Sequence, residues 1–163
     1  MKCRAYLDIE TTGLSRYDCE LTVIGIGLEK GTEIQIIQLI EDDLYEQRLM
    51  KVLECADEIY TYNGSRFDLP FIRTQLGVDL SQCFEHRDLM YDCWRYDFKG
   101  GLKVVERKLG IERQLKGVDG YVAVQLWWDY VNNGNFDSLQ MLLAYNAEDV
   151  VNLQVLRRKL RVR

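Results

Sequence analysis

Hydrophobic and polar positions along the 163-residue chain fall into short runs with two different periods. Residues 3–9, 21–28 and 33–40 are rich in Ile, Val and Leu and are separated by polar or glycine-bearing turns such as Glu29-Lys30-Gly31. They predict three strands able to pair antiparallel. Over 41–56 the spacing becomes helical, with Leu44, Leu49, Val52 and Leu53 behind an acidic first turn. Residues 58–62 read as a fourth strand, Asn63-Gly64-Ser65 as a turn, and 68–76 as a helix closed by Gly77. The only proline, Pro70, falls in the first turn of that helix, where it is tolerated. A short strand is expected near 84–88, and helices over 88–96, 102–109, 121–132 and 137–160. Antiparallel-capable strands followed by alternating strands and helices predict a mixed-sheet α/β domain.

Alternation within the first strand sends Cys3, Ala5, Leu7 and Ile9 to one face and Arg4, Tyr6, Asp8 and Glu10 to the other. Two carboxylates then converge at a strand end, an arrangement that supplies oxygen ligands to a hard divalent cation. The wet face of an edge strand shows the same alternation. Asp68 stands at a helix entry, where its carboxylate has an N-cap reading as well. On the last helix Tyr145 and Asp149, four residues apart, share a face. Leu139, Leu142, Leu143, Val150 and Leu153 form the apolar stripe, and Tyr145 and Asp149 lie half-buried along its border. Glu148 projects about 100° from Asp149 and reads as surface.

Length and a hydrophobic content of 47% fit one soluble domain spanning 1–163, without repeats or linkers. The longest apolar run, 21–28, is far too short to span a bilayer, and the N-terminus has no signal-peptide pattern. A cytoplasmic location is expected, with no membrane partner. The five cysteines form no Cys-x-x-Cys pair, which favours free thiols over a zinc site or disulfides. No Gly-x-Ser-x-Gly elbow or phosphate loop is present. A net charge of −5 argues against general nucleic-acid binding. Basic residues nonetheless cluster at Lys99, Lys103, Arg107, Lys108, Arg113 and Lys116, and again over 157–163. Both clusters read either as solvated helix faces or as a substrate path.

Asp8-Ile9-Glu10, Asn63-Gly64-Ser65-Arg66-Phe67-Asp68 and Tyr145-Asn146-Ala147-Glu148-Asp149 together resemble the three exonuclease motifs of the DEDD superfamily, in order and on fitting elements. Tyrosine four residues before the last aspartate is similar to the DEDDy branch. Asp88-Leu89-Met90 and the runs 102–111 and 145–153 look like the YprB-type ribonuclease-H-like exonuclease domain, so the resemblance covers nearly the whole chain. It implies a ribonuclease-H-like α/β fold, a mixed central sheet of about five strands flanked by helices. It also implies a 3′–5′ exonuclease that takes single-stranded DNA or RNA with a free 3′ end and releases 5′ mononucleotides.

Two divalent cations, Mg²⁺ or Mn²⁺, follow from the same resemblance. Asp8 is assigned to bridge them, Glu10 and Asp149 to the ion that activates water, and Asp68 to the surroundings of the second, partly through water. Four crowded carboxylates repel, so at least one should hold its proton more tightly when no metal is bound. A phenol that ionises near pH 10 is a poor base at neutral pH, so Tyr145 is expected to orient the attacking water. Backbone amides of Thr11, Thr12 and Gly13 are expected to hold the terminal nucleotide, with Leu14 beside its base and Asn63 and Phe67 in the same cleft. Tyr121, Trp127 and Trp128 are expected in the core, and His86 in a structural role. A non-catalytic nucleic-acid-binding module, or a structure-specific or RNA-maturation nuclease, are the competing readings on this fold.

Overall fold

A computed structural model describes residues 2–162. Strands β1 (Cys3–Thr11), β2 (Leu21–Lys30), β3 (Glu33–Ile40), β4 (Glu58–Thr61) and β5 (Glu85–Asp88) form one sheet in the order β3-β2-β1-β4-β5. β1 pairs antiparallel with β2, and β2 with β3, whereas β1–β4 and β4–β5 are parallel. β1 is therefore a central strand, and the wet-edge explanation for Asp8 and Glu10 fails.

Helices α1 (Glu46–Leu53), α2 (Asp68–Leu76), α3 (Leu80–Cys83), α4 (Leu89–Arg95), α5 (Leu102–Leu109), α6 (Gly120–Asn133) and α7 (Phe136–Lys159) cover the sheet. Alternation on β1 sorts its side chains into two cores. Ala5, Leu7 and Ile9 join Ile24 and Ile26 of β2, Leu49 and Leu53 of α1, and Phe71 and Ile72 of α2. Tyr6 faces the other way, among Tyr60 of β4, Val105 of α5, and Val150, Leu153 and Leu156 of α7. The pattern had placed Tyr6 on a polar face; it is fully buried because α7 lies across that face.

Two glycines set how closely α7 approaches. Gly25 and Gly27 of β2 pair with Asp8 and Tyr6 of β1. A Cβ on Gly25 would fall 2.1 Å from Asn146 Oδ1, and one on Gly27 would fall 2.8 Å from Val150 Cγ1. Two strand residues advance about 6.8 Å and four helix residues about 6.0 Å, so the gaps match one helical turn.

Two expectations need correction. The single helix over 41–56 is instead a 3-10 turn, Glu41–Asp43, followed by α1. Asp42 and Asp43 are weak helix formers, Glu41 takes a positive φ of 51°, and Tyr45 is extended before α1 begins. The short α3 was not anticipated; Asp79 caps it by accepting from the Ser81 amide. Among the described residues no helix is long and apolar enough to cross a membrane.

Candidate active site

Asp8 and Glu10 reach the carboxyl end of β1, on the face that α7 crosses. Parallel neighbours β1 and β4 end side by side there, the usual place for a site on an open α/β sheet. A cleft of about 270 Å³ opens at this point. It is lined by Asp8, Glu10, Thr11, Gly13 and Leu14 from β1 and its turn, by Asn63, Phe67 and Asp68 after β4, and by Tyr145 and Asp149 of α7. Gly120 and Val124 of α6 form the remaining wall.

Carboxylate oxygens of Asp8, Glu10 and Asp149 lie within 4.8 Å of one another. Asp68 stands outside that trio, at the buried start of α2. It is the first residue of α2, not its N-cap as the N-cap reading had it; Phe67 holds the cap position, and no side-chain cap bond is made there. Burial pushes the carboxyls of Asp8, Glu10 and Asp68 well above their ordinary range, and mutual repulsion with Asp149 adds to this. Asp149 is raised as well by burial, although Arg113 and Lys103 pull against it. The donor set is all carboxylate oxygen, crowded and only partly neutralised, and it fits hard divalent cations such as Mg²⁺ or Mn²⁺.

Asn146, which the sequence reading passed over, holds Asp8 in place. Its Nδ2 donates to the Asp8 carbonyl at 3.2 Å and to Asp8 Oδ2 at 3.1 Å, while its Oδ1 accepts from Gln38 Nε2 at 2.9 Å. Gly25 provides the space for this side chain.

Tyr145 is buried beside Asp149, not half-buried, and burial with the neighbouring Asp149, Glu10 and Asp8 raises the pKa of its phenol further. Lys103 donates to its hydroxyl, and the ammonium lies 4.6 Å from the ring centroid. The phenol therefore keeps its proton and has it available to donate.

Arg113, one member of the basic cluster that reads either as a solvated helix face or as a substrate path, is largely buried and bonded to an acid of the site. It is held by Glu106 through two bonds, of 2.5 and 2.8 Å, and donates to Asp149. Glu148, expected at the surface, accepts from the Gln114 amide at 2.8 Å and so ties the α5–α6 loop to α7. Both departures have one cause: the loop folds over a face of α7 that helical periodicity alone leaves open.

Thr12 does not line the cleft, and its amide is not available to a nucleotide. That amide donates to the Glu20 carbonyl at 2.9 Å, and its hydroxyl accepts from the Glu20 amide at 2.8 Å, closing the β1–β2 turn. Leu14 stands 87% exposed at the mouth. Asn63, at φ 61°, is fixed by Asp88, whose carboxylate accepts from the amides of Asn63 and Ser65 and from Ser65 Oγ. His86 Nε2 shares a 2.8 Å hydrogen bond with Thr61 Oγ1, away from the cleft. Trp127 is buried as expected, while Tyr121 and Trp128 are exposed.

A five-stranded mixed sheet, helices on both faces and acids from β1, α2 and α7 at one end define a ribonuclease-H-like protein. The chain belongs to the RNase_H superfamily: the RNase_H_2 family model matches residues 5–161. It is 30% identical over 120 residues to the uncharacterized protein YprB of Bacillus subtilis (strain 168), matching 68% of this chain and 28% of that protein. This chain therefore spans under a third of that relative's length. Among solved structures, NrnC of Brucella melitensis bound to pGG superposes with a TM-score of 0.61 at 21% identity, over 97% of this chain and 71% of that one. The same protein with bound Mg²⁺ matches at a TM-score of 0.52 and 19% identity, over 98% and 84%. The family B DNA polymerase of Pyrobaculum calidifontis matches at 0.71 and 16% identity, over 99% and 25%.

Proposed function

We propose that this chain is a metal-dependent 3′–5′ exonuclease of the DEDDy type that hydrolyses single-stranded DNA or RNA to 5′ mononucleotides. The observation that carries the reading is the trio of Asp8, Glu10 and Asp149, with oxygens within 4.8 Å and Asp68 beside it. The likeness to NrnC, solved with Mg²⁺ and with pGG, is in keeping with it.

Asp8, Glu10 and Asp149 are the residues that would hold one divalent ion, with Asp8 shared toward a second near Asp68. Bound ions of this kind lower the pKa of an attacking water and stabilise a departing oxyanion in an in-line displacement. The rest falls to the chain itself. Asn146 fixes the Asp8 carboxylate from behind, so its free edge faces the cleft. Tyr145 keeps its proton and orients the attacking water by hydrogen bond, steadied by Lys103. Thr11, Gly13, Leu14, Asn63 and Phe67 enclose the terminal nucleotide, and Leu14 offers its base an apolar edge.

The test is direct. Single-stranded DNA and RNA labelled at the 5′ end are incubated with Mg²⁺, Mn²⁺ or EDTA, beside Asp149→Asn. A descending ladder abolished by EDTA and by the substitution is the expected result. The enzyme reading falls if no metal-dependent cleavage of any oligonucleotide occurs.

A further inference from the structure

The turn that carries Asp68 has a second face. Arg66, two residues earlier, points away from the carboxylates toward α4. Its guanidinium carbon lies 5.5 Å from the Trp94 ring centroid and 5.9 Å from that of Tyr91. Tyr91 and Trp94 meet edge to face, with centroids 5.3 Å apart and planes at 88°. Both rings remain 38–39% exposed, and Tyr96 beyond them is 60% exposed. Among the described residues no carboxylate pairs with Arg66. The buried acid on this helix, Asp92, is already bound by Arg87 at 2.7 Å and faced by Arg95 at 3.6 Å.

Here two large rings and a cation stay together in solvent, held by the protein. Asp88 accepts from the Ser65 amide and hydroxyl on one side and caps α4 through the Met90 amide at 3.1 Å on the other. Ser65 Oγ also lies 3.5 Å from the Tyr91 hydroxyl. One buried carboxylate thus fixes both the turn that lines the cleft and the helix that carries the rings.

We propose that Arg66, Tyr91 and Trp94 form a base-stacking subsite for the single strand, taking nucleotides on the 5′ side of the terminal two. This rests on the nuclease reading above. Aromatic faces stack any base, and an unpaired guanidinium answers the phosphates between them, a combination that binds single strands without regard to sequence. The subsite is continuous with the cleft. Asn63 and Phe67 line the cleft from the turn that also carries Arg66, and at most about 7 Å of backbone separates Arg66 from Asp68.

The experiment compares a 5′-labelled dinucleotide with a dodecamer, using wild type, Arg66→Ala, Trp94→Ala and Trp94→Phe. Circular dichroism and melting confirm that each variant folds. Loss of one stacked base is an effect of about tenfold or more. KM for the dodecamer should rise by that factor in Trp94→Ala and be largely restored in Trp94→Phe, with kcat and dinucleotide kinetics unchanged. Arg66→Ala should lower the slope of log Kd against log salt by about one. The subsite is refuted if dodecamer KM stays within about twofold of wild type in both alanine variants, or if dinucleotide and dodecamer suffer alike. If wild type cleaves neither substrate, the nuclease reading fails separately. Dodecamer anisotropy in EDTA then decides the subsite by the same tenfold loss, and its absence rejects it.

Discussion

Asp8→Asn should make the metal-free protein more stable and the metal-loaded protein less so. Asp8 sits at the middle of the acidic group, raised first by burial and then by Asp149, Glu10 and Asp68. With oxygens no more than 4.8 Å apart and an effective dielectric near 20, one fully charged pair costs at least about 3.5 kcal/mol. The cluster relieves part of that by keeping protons. About 1–2 kcal/mol is a reasonable gain at neutral pH, or about 2–8 °C in Tm for a chain of this size. The amide retains an oxygen to accept from Asn146 and nearly the same volume, so packing is unaffected.

Divalent cations act in the opposite direction. At 100 times Kd a bound ion adds about 2.7 kcal/mol to wild type, and the variant forfeits most of it. Melting curves in EDTA and in Mn²⁺ should therefore cross, with Asp8→Asn melting above wild type in EDTA and below it in Mn²⁺. The pH dependence has a definite sign. The native state binds more protons than the unfolded chain when acids are raised, so metal-free stability falls as pH climbs above their ordinary range. Metal must displace those protons, so the Mn²⁺-induced rise in Tm should grow with pH. An Asp8→Asn protein that melts lower than wild type in EDTA, or gains as much from Mn²⁺, refutes this account of the cluster.

Tyr145→Phe should lower turnover on single strands while leaving the Mn²⁺-induced shift in Tm nearly intact; loss of that shift to the extent seen in Asp8→Asn would contradict the division of roles. In Gly25→Ala the new Cβ meets Asn146 at 2.1 Å, so overpacking should cost about 1–3 kcal/mol and loosen Asp8, seen as weaker Mn²⁺ binding by calorimetry; unchanged Mn²⁺ affinity sinks the positioning role of Asn146. Glu29→Gln should cost roughly 3–5 kcal/mol by leaving Arg157 buried without its partner, measured by denaturant unfolding. Burial pushes the Glu29 carboxyl up, but bonds from Tyr6, Arg158 and Gln154 and the nearby Arg157 outweigh it and hold it below the usual 4.5. Its contribution is therefore complete above pH 4.5 and lost as pH falls below it. A wild-type acid limb no steeper than that of Glu29→Gln argues against the assignment.

Local patterns carried much of this structure and non-local closure carried the rest. The five strands and most helices follow from period and punctuation, as with α2 between Asp68 and Gly77. Two carboxylates two apart on a strand, and a tyrosine and an acid four apart on a helix, define faces by themselves, but it took the resemblance to the DEDD motifs, in order along the chain, to bring Asp8, Glu10 and Asp149 to one place. Arg113 and Glu148 were not, since the loop that joins them has no period and acquires its position only by packing on α7. Asn146 was hidden for another reason. Its role depends on Gly25, and a glycine inside a strand shows that something comes close without showing what. Thr12 was misread because a backbone amide has no sequence signature and its partner, Glu20, lies across the turn.

The middle and the C-terminal end of α7 pose the same electrostatic problem and solve it differently. At its C-terminal end the buried Glu29 is answered by Arg157 at 3.1 Å and Arg158 at 2.6 Å, with Arg4 at 3.9 Å and further bonds from Tyr6 and Gln154. That carboxyl is lowered. At the cleft, midway along α7, four acids (Asp8, Glu10, Asp68 and Asp149) face two cations: Arg113, which divides itself between Asp149 and Glu106, and Lys103, which is bonded to Tyr145. All four carboxyls are raised. Burying acids is costly unless cations accompany them, and the Glu29 network shows that this fold can provide such cations where only stability is at stake. Leaving the deficit at the cleft, at the end of the sheet where β1 and β4 open, is the physical ground for assigning the missing positive charge to ions taken from solution. It also sets opposite signs for the two places in a pH titration: acid weakens the Glu29 network and relieves the cleft. A double comparison of Glu29→Gln and Asp8→Asn in EDTA, from well below pH 4.5 up to neutral pH, should separate them, with the first losing most of its penalty at the acid end and the second losing its advantage there.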